Sequence, residues 1–208
     1  MRVNKAIFNV VILIILTAFF FGAYLLENLG VQYVSEGGAP LLKIHAYSYL
    51  IMASVFFCVM RFRIKGYISA LGEFKQAWLC AFGCIVFVIL YGLYKQGMSG
   101  MAYLVDLILT PLLLVPILLS LTNKQKHFVI TLLAYLVLFN ACLAIVEFSL
   151  SSRLISVEFS SFSHFRSTAL LTHPLNNALI TASLAMLLMD KTRLPSIVYF
   201  FIVFIALF

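Results

Sequence analysis

Residues 101–121 read M-A-Y-L-V-D-L-I-L-T-P-L-L-L-V-P-I-L-L-S-L, an apolar run with one charged side chain, Asp106, and two prolines, Pro111 and Pro116. As an α-helix rising 1.5 Å per residue, a stretch of this length covers the ~30 Å hydrocarbon core of a bilayer. The prolines withdraw backbone donors and favour kinks. A carboxylate about five residues into such a helix is costly unless it faces a cavity or a partner. The stretch therefore predicts an irregular membrane-spanning helix with Asp106 near one end.

The rest of the chain agrees with that reading. Of 208 residues, 64% are hydrophobic and 10% are charged, and the mean hydropathy is +1.11. Soluble domains lie nearer one half apolar and one quarter charged. The expected fold class is all-α, a polytopic integral membrane bundle of about seven transmembrane helices. The helices are expected over residues 6–29, 42–60, 77–94, 101–121, 128–150, 174–189 and 194–208, the last one cut short. Residues 1–208 are thus expected to form a single transmembrane domain, the N-terminal part of a longer protein, with 151–173 as a polar loop.

Charge gives the expected direction of insertion. Arg2, Lys5, Arg61, Arg63, Lys65, Lys75, Lys124, Lys126, Lys191 and Arg193 fall on one side of the spans, against Lys43, Lys95, Arg153 and Arg166 on the other. The excess of Lys and Arg in cytoplasmic loops places the N-terminus in the cytoplasm. Residues 61–76 carry the strongest signal and are expected to lie along the inner surface as a short amphipathic helix. The net charge of +7 is accounted for by orientation, and no soluble basic domain exists to bind nucleic acid. The four cysteines, Cys58, Cys80, Cys84 and Cys142, lie in apolar segments and read as packing residues. Without His or carboxylate neighbours at ligand spacing, no metal is expected.

On this topology Asp106, Glu147, Arg153, His164, Arg166 and His173 all fall at the outer face. The acids have two readings: a structural one, by pairing with Arg153, Arg166 or Lys95 or by snorkelling to nearby water, and lining of a substrate cavity. Residues 151–173 combine seven serines with Phe159, Phe162, Phe165 and two arginines. Hydroxyls and aromatic faces suit a sugar chain, and arginine forks suit phosphate. An amphipathic loop lying on the membrane accounts for the same composition. At Thr172-His173-Pro174 the chain enters a helix, Pro174 standing in the first turn where its missing N–H is harmless. The free N–H groups and positive dipole end there, with Arg166 and His173 beside them, suit a phosphate or pyrophosphate. Asn176 and Asn177 either line this mouth or bond neighbouring helices.

Arg166 followed by Thr172-His173-Pro174-Leu175-Asn176-Asn177-Ala178 resembles the R-x(n)-G-x-x-x-H-P-N pattern of the O-antigen ligase and O-antigen or exopolysaccharide polymerase family. The family's glycine before His-Pro is not evident, and Leu175 stands before Asn176. The resemblance implies transfer of a glycan from an undecaprenyl-pyrophosphate carrier to a lipid-linked or growing saccharide, in the bacterial inner membrane, without a cofactor. It implies catalytic roles for Arg166 and His173. Arg153, His164, Pro174, Asn176, Asn177, Asp106 and Glu147 would bind substrate, with other polysaccharide-export proteins as partners. A general base would come from beyond residue 208, or from Glu147 or Asp106. The competing expectation is a non-catalytic transporter or flippase component in which Asp106 and Glu147 couple an ion.

Overall fold

The computed structural model describes residues 5–30, 39–97, 101–154, 165, 167–171 and 174–207, the side chains of 23, 24, 96, 174–176 and 207 excepted. Among the described residues every regular element is helical. In chain order these are α1 (Lys5–Phe20), α2 (Ala23–Asn28), α3 (Ala46–Ser69), α4 (Lys75–Gln96), α5 (Met101–Leu104), a π-helical turn (Val105–Leu109), α6 (Thr110–Leu119), α7 (Asn123–Leu150), α8 (Pro174–Leu188) and α9 (Ser196–Leu207). Short 3-10 turns occupy Pro40–Lys43, Gly72–Phe74, Ala169–Leu171 and Met189–Lys191.

Four helical stretches are long and apolar enough to cross a membrane: Ala46–Ser69, Gly72–Lys95, Met101–Leu119 and Asn123–Leu150. α1 and α9 are apolar but shorter. The helix expected over 6–29 is interrupted, because the chain turns extended at Gly22 (φ −71°, ψ 164°) between α1 and α2. α3 also departs from expectation. It starts at Ala46, runs through the basic residues to Ser69, and breaks at Arg63, where φ 59° and ψ 162° leave helical space. Only 6% of the membrane-length window over α4 is buried, and Phe87, Leu90, Tyr91 and Tyr94 stand exposed along it. An apolar surface of this kind suits lipid rather than water.

The chain divides into two compact units, Met1–Ala18 with Gln32–Lys126, and Phe19–Val31 with His127–Phe208. In the first, the prolines of the 101–119 rod explain which side chains hold it. Pro116 has no N–H to give the Leu112 carbonyl four residues earlier, so that acceptor needs another donor. The Trp78 indole of α4 supplies it, Nε1–H donating to the Leu112 oxygen at 2.9 Å. The Tyr67 hydroxyl of α3 donates to the next carbonyl, that of Leu113. The Tyr67 and Trp78 rings meet edge-on at 6.3 Å, and Trp78 stacks on Phe82 at 5.1 Å. α3, α4 and α6 are joined at one proline.

Pro111 acts similarly on the π-helical turn. The Thr110 N–H bonds back to the Val105 carbonyl, five residues earlier. In that register the next donor would be Pro111, which has none, and the Asp106 carbonyl is left open. Thr110 Oγ1 reaches it at 3.3 Å and the Tyr47 hydroxyl of α3 at 3.4 Å. Ser48 Oγ lies 3.0 Å from Thr110 Oγ1, extending a chain of hydroxyls into α3.

In the second unit α7 ends without glycine. Ser151 takes a left-handed conformation (φ 49°), the Ser152 N–H donates to the Glu147 carbonyl and the Ser151 N–H to that of Phe148, each at 3.2 Å. These two bonds make a Schellman motif. α8 packs on α9, and the buried Tyr199 hydroxyl of α9 donates to the Ala134 carbonyl of α7 at 3.2 Å.

If Trp78 serves the carbonyl that Pro116 exposes, Trp78→Phe lowers stability by about 1–3 kcal/mol, the cost of an unsatisfied buried acceptor. In a Pro116→Ala background, where a helical N–H can return to Leu112, the same substitution costs less. A double-mutant cycle on unfolding in detergent measures the coupling, and additive effects would refute the assignment.

Candidate functional site

Glu147 sits in the last turn of α7 and is 1% exposed. Its carboxylate is filled by donors. Oε1 accepts from the Leu154 N–H at 2.8 Å. Oε2 accepts from Ser167 Oγ at 2.7 Å, the Thr168 N–H at 2.9 Å and the Ala169 N–H at 2.8 Å. Seven residues earlier, two turns along the same face and ~10.5 Å away, Asn140 continues the hold. Its Oδ1 accepts from the Leu170 N–H at 3.0 Å. Its Nδ2 donates to Asn177 Oδ1 at 2.6 Å and to Thr181 Oγ1 at 3.0 Å. Residues 167–170 are thus laid along α7 and bound to it through three consecutive main-chain N–H groups.

This arrangement answers a specific difficulty. Thr168 and Ala169 are buried and their N–H groups precede a short 3-10 turn, so no helix supplies acceptors. Ala169 also holds φ at 43°, a conformation costing an L-residue roughly 1–2 kcal/mol. The carboxylate offsets both, because charge-assisted bonds are about twice as strong as neutral ones. Arg153, the third residue after α7, stacks over the Phe165 ring at 5.4 Å, which brings positions 153 and 165 together.

Asp106 belongs to the first unit and is 4% exposed. Its Oδ1 and Oδ2 lie 3.2 and 3.1 Å from the main-chain nitrogen of His45, the N-cap of α3. A carboxylate here meets the positive end of the α3 dipole. The His45 and Tyr47 rings stack at 5.2 Å. Burial holds the His45 imidazole below its ordinary 6.5, with the Asp106 charge opposing part of that shift.

Of the residues named from the sequence, Glu147, Arg153 and Asn177 fall in the second unit and Asp106 in the first. Asn177 is buried, its amide oxygen taken by Asn140 and, at 3.3 Å, by Thr181 Oγ1. Arg166, His164 and His173 lie outside the described residues, as do the side chains of Pro174 and Asn176. Asn140, His45, Tyr47, Ser48 and Thr110 escaped the sequence reading. Asn140 had a visible signal, an amide inside the apolar run L-V-L-F-N-A-C-L-A, since polar groups within membrane helices bond across to neighbours. Comparison with protein-family models, with curated proteins and with solved structures finds no match.

Two outcomes test these sites. Glu147→Ala leaves the Thr168 and Ala169 N–H groups without their acceptor and costs about 2–5 kcal/mol, whereas Ala169→Gly keeps the bond, relieves the backbone and raises stability by up to about 1 kcal/mol. Hydrogen exchange at 168 and 169 separates the two, fast in the first variant and slow in the second. For His45, the folded value lies below the unfolded one, so between them the unfolded chain binds more protons. Stability carried by neutral His45 is whole above about pH 6.5 and is lost as pH falls through the lower folded value. Unfolding midpoints should therefore fall more steeply below pH 6.5 in the wild type than in His45→Gln, which retains the main-chain bond to Asp106; parallel pH curves would refute this.

Proposed function

We propose that this protein is a polytopic protein of the bacterial inner membrane with about seven spanning segments and a cytoplasmic N-terminus. In this reading it is a polysaccharide polymerase or ligase that transfers a glycan from undecaprenyl pyrophosphate to a lipid-linked or growing saccharide. The observation that carries the proposal is the hold on residues 167–170. A buried carboxylate and a buried amide of α7 immobilise four residues that stand between Arg166 and His173. Transfer chemistry requires reacting groups held on a rigid support, and this constraint on 167–170 is what supports the reading.

In the proposed reaction an acceptor hydroxyl attacks the anomeric carbon of the donor sugar. The bond from that carbon to the pyrophosphate oxygen breaks, and the carrier pyrophosphate leaves with the electron pair and takes up the proton that the acceptor hydroxyl gives up. Arg166 binds the pyrophosphate and stabilises its growing charge, with His173 and Arg153 beside it and Pro174 and Asn176 shaping the mouth. Glu147, its oxygens committed to four donors, positions the segment instead of meeting the sugar. One observation favours a second reading as an ion-coupled transporter or flippase component: Asp106 is buried in a π-helical turn near His45, and such turns are frequent at functional sites.

Arg166→Ala should abolish polymer formation while the protein reaches the membrane in unchanged amount. A normal polymer length distribution in that variant would overturn the role of Arg166. In proteoliposomes, consumption of carrier-linked glycan supports the transferase, and proton- or sodium-dependent solute uptake supports the alternative.

A further inference from the structure

The end of the first unit where α3 passes to α4 carries a cationic surface that the proposed transfer leaves unused. Arg61, Arg63, Lys65 and Lys75 are all exposed, and over 61–76 the sole acid is Glu73. Exposed apolar side chains alternate with them: Met60 (70% exposed), Ile64 and Phe74. The apolar part of α3 runs up to the break at Arg63 and α4 has membrane-spanning length, so the basic stretch between them falls at the level of lipid headgroups. Cations there, with apolar side chains interleaved, match the two layers of a phospholipid, phosphate outside and acyl chain within.

The backbone is held in this layout at a cost. Arg63, at φ 59° and ψ 162°, occupies a region that glycine alone visits readily. Four residues on, buried Tyr67 is bonded to Leu113, and Trp78 fixes the start of α4 through Leu112. These anchors keep the strained turn in place, with Arg63 exposed between Arg61 and Lys65. A glycine would serve the turn alone with less strain, and the arginine there adds a phosphate-binding fork at the crest of the patch.

We propose that Arg61, Arg63, Lys65 and Lys75 bind the phosphate of an anionic phospholipid, with Met60, Ile64 and Phe74 inserted among its acyl chains. The charge of the patch and its apolar neighbours call for a lipid phosphate over a soluble anion, which the cations alone would satisfy.

The test is a titration of phosphatidylglycerol into the purified full chain in neutral detergent, read by native mass spectrometry, with phosphatidylcholine and inorganic phosphate as separate arms. Phosphatidylglycerol is expected to bind in preference to both. Each cation replaced by glutamine should weaken it about fivefold, so Arg61→Gln with Arg63→Gln and Lys65→Gln loses about a hundredfold. Lys124→Gln with Lys126→Gln, in the first turn of α7, should leave it unchanged. Arg63→Gly separates binding from folding, because it relieves the turn: its unfolding temperature stays level or rises while its phosphatidylglycerol affinity falls. Undiminished affinity in Arg63→Gly or in the triple variant would overturn the site, as would equal binding of inorganic phosphate or phosphatidylcholine.

Discussion

A proline inside an apolar helix leaves a carbonyl without its donor, and in a hydrocarbon setting no water arrives to replace it. The first unit is arranged around that constraint. Pro116 exposes Leu112, and Trp78 answers from α4. Pro111 exposes Asp106, and Tyr47 and Thr110 answer, one from α3 and one from the same rod. Packing of apolar side chains gives little direction to helix association in lipid, where the tails are as apolar as leucine. Donors aimed at particular carbonyls do give direction. They decide which helices lie beside the 101–119 rod and at what height.

The second unit solves the converse problem. There the unsatisfied groups are N–H donors, at the buried residues 168–170, and the acceptors come from α7. Glu147 can take three donors on one oxygen and a fourth on the other, which no neutral side chain matches. Its neighbour two turns away, Asn140, accepts one N–H and gives both of its own protons to α8. A short polar segment is thereby carried into an apolar helical surrounding with its main-chain N–H groups at 168–170 satisfied.

Much of the helical layout was legible because it depends on uninterrupted apolar length. α4 at Lys75–Gln96 and α8 at Pro174–Leu188 lie within two residues of expectation. The break at Gly22 was hidden because hydropathy continues through it. α3 was expected to end before Arg61 with a separate short helix over 61–76, and the backbone leaves helical space at Arg63 before helix resumes to Ser69. At the sites, Asp106 and Glu147 stood out as carboxylates in apolar runs, and cationic partners were one expectation for them. The donors seen at Glu147 are main-chain N–H groups and one serine. Main-chain donors are present at every residue but proline, so which of them converge on a carboxylate leaves no mark in the amino-acid pattern.

α4 touches its own unit lightly. Its Trp78 indole makes the only side-chain hydrogen bond from α4 to another helix among the described residues, and most of its length is bare. Twenty-two residues span ~33 Å, slightly more than a ~30 Å core. A helix longer than the bilayer relieves the mismatch by tilting. Trp78 fixes the direction of α4 near its start, while Cys84, Ile85, Val88 and Ile89 meet Leu104 and Ile108 through apolar surface alone, so α4 and the 101–119 rod share one polar hold and one apolar seam.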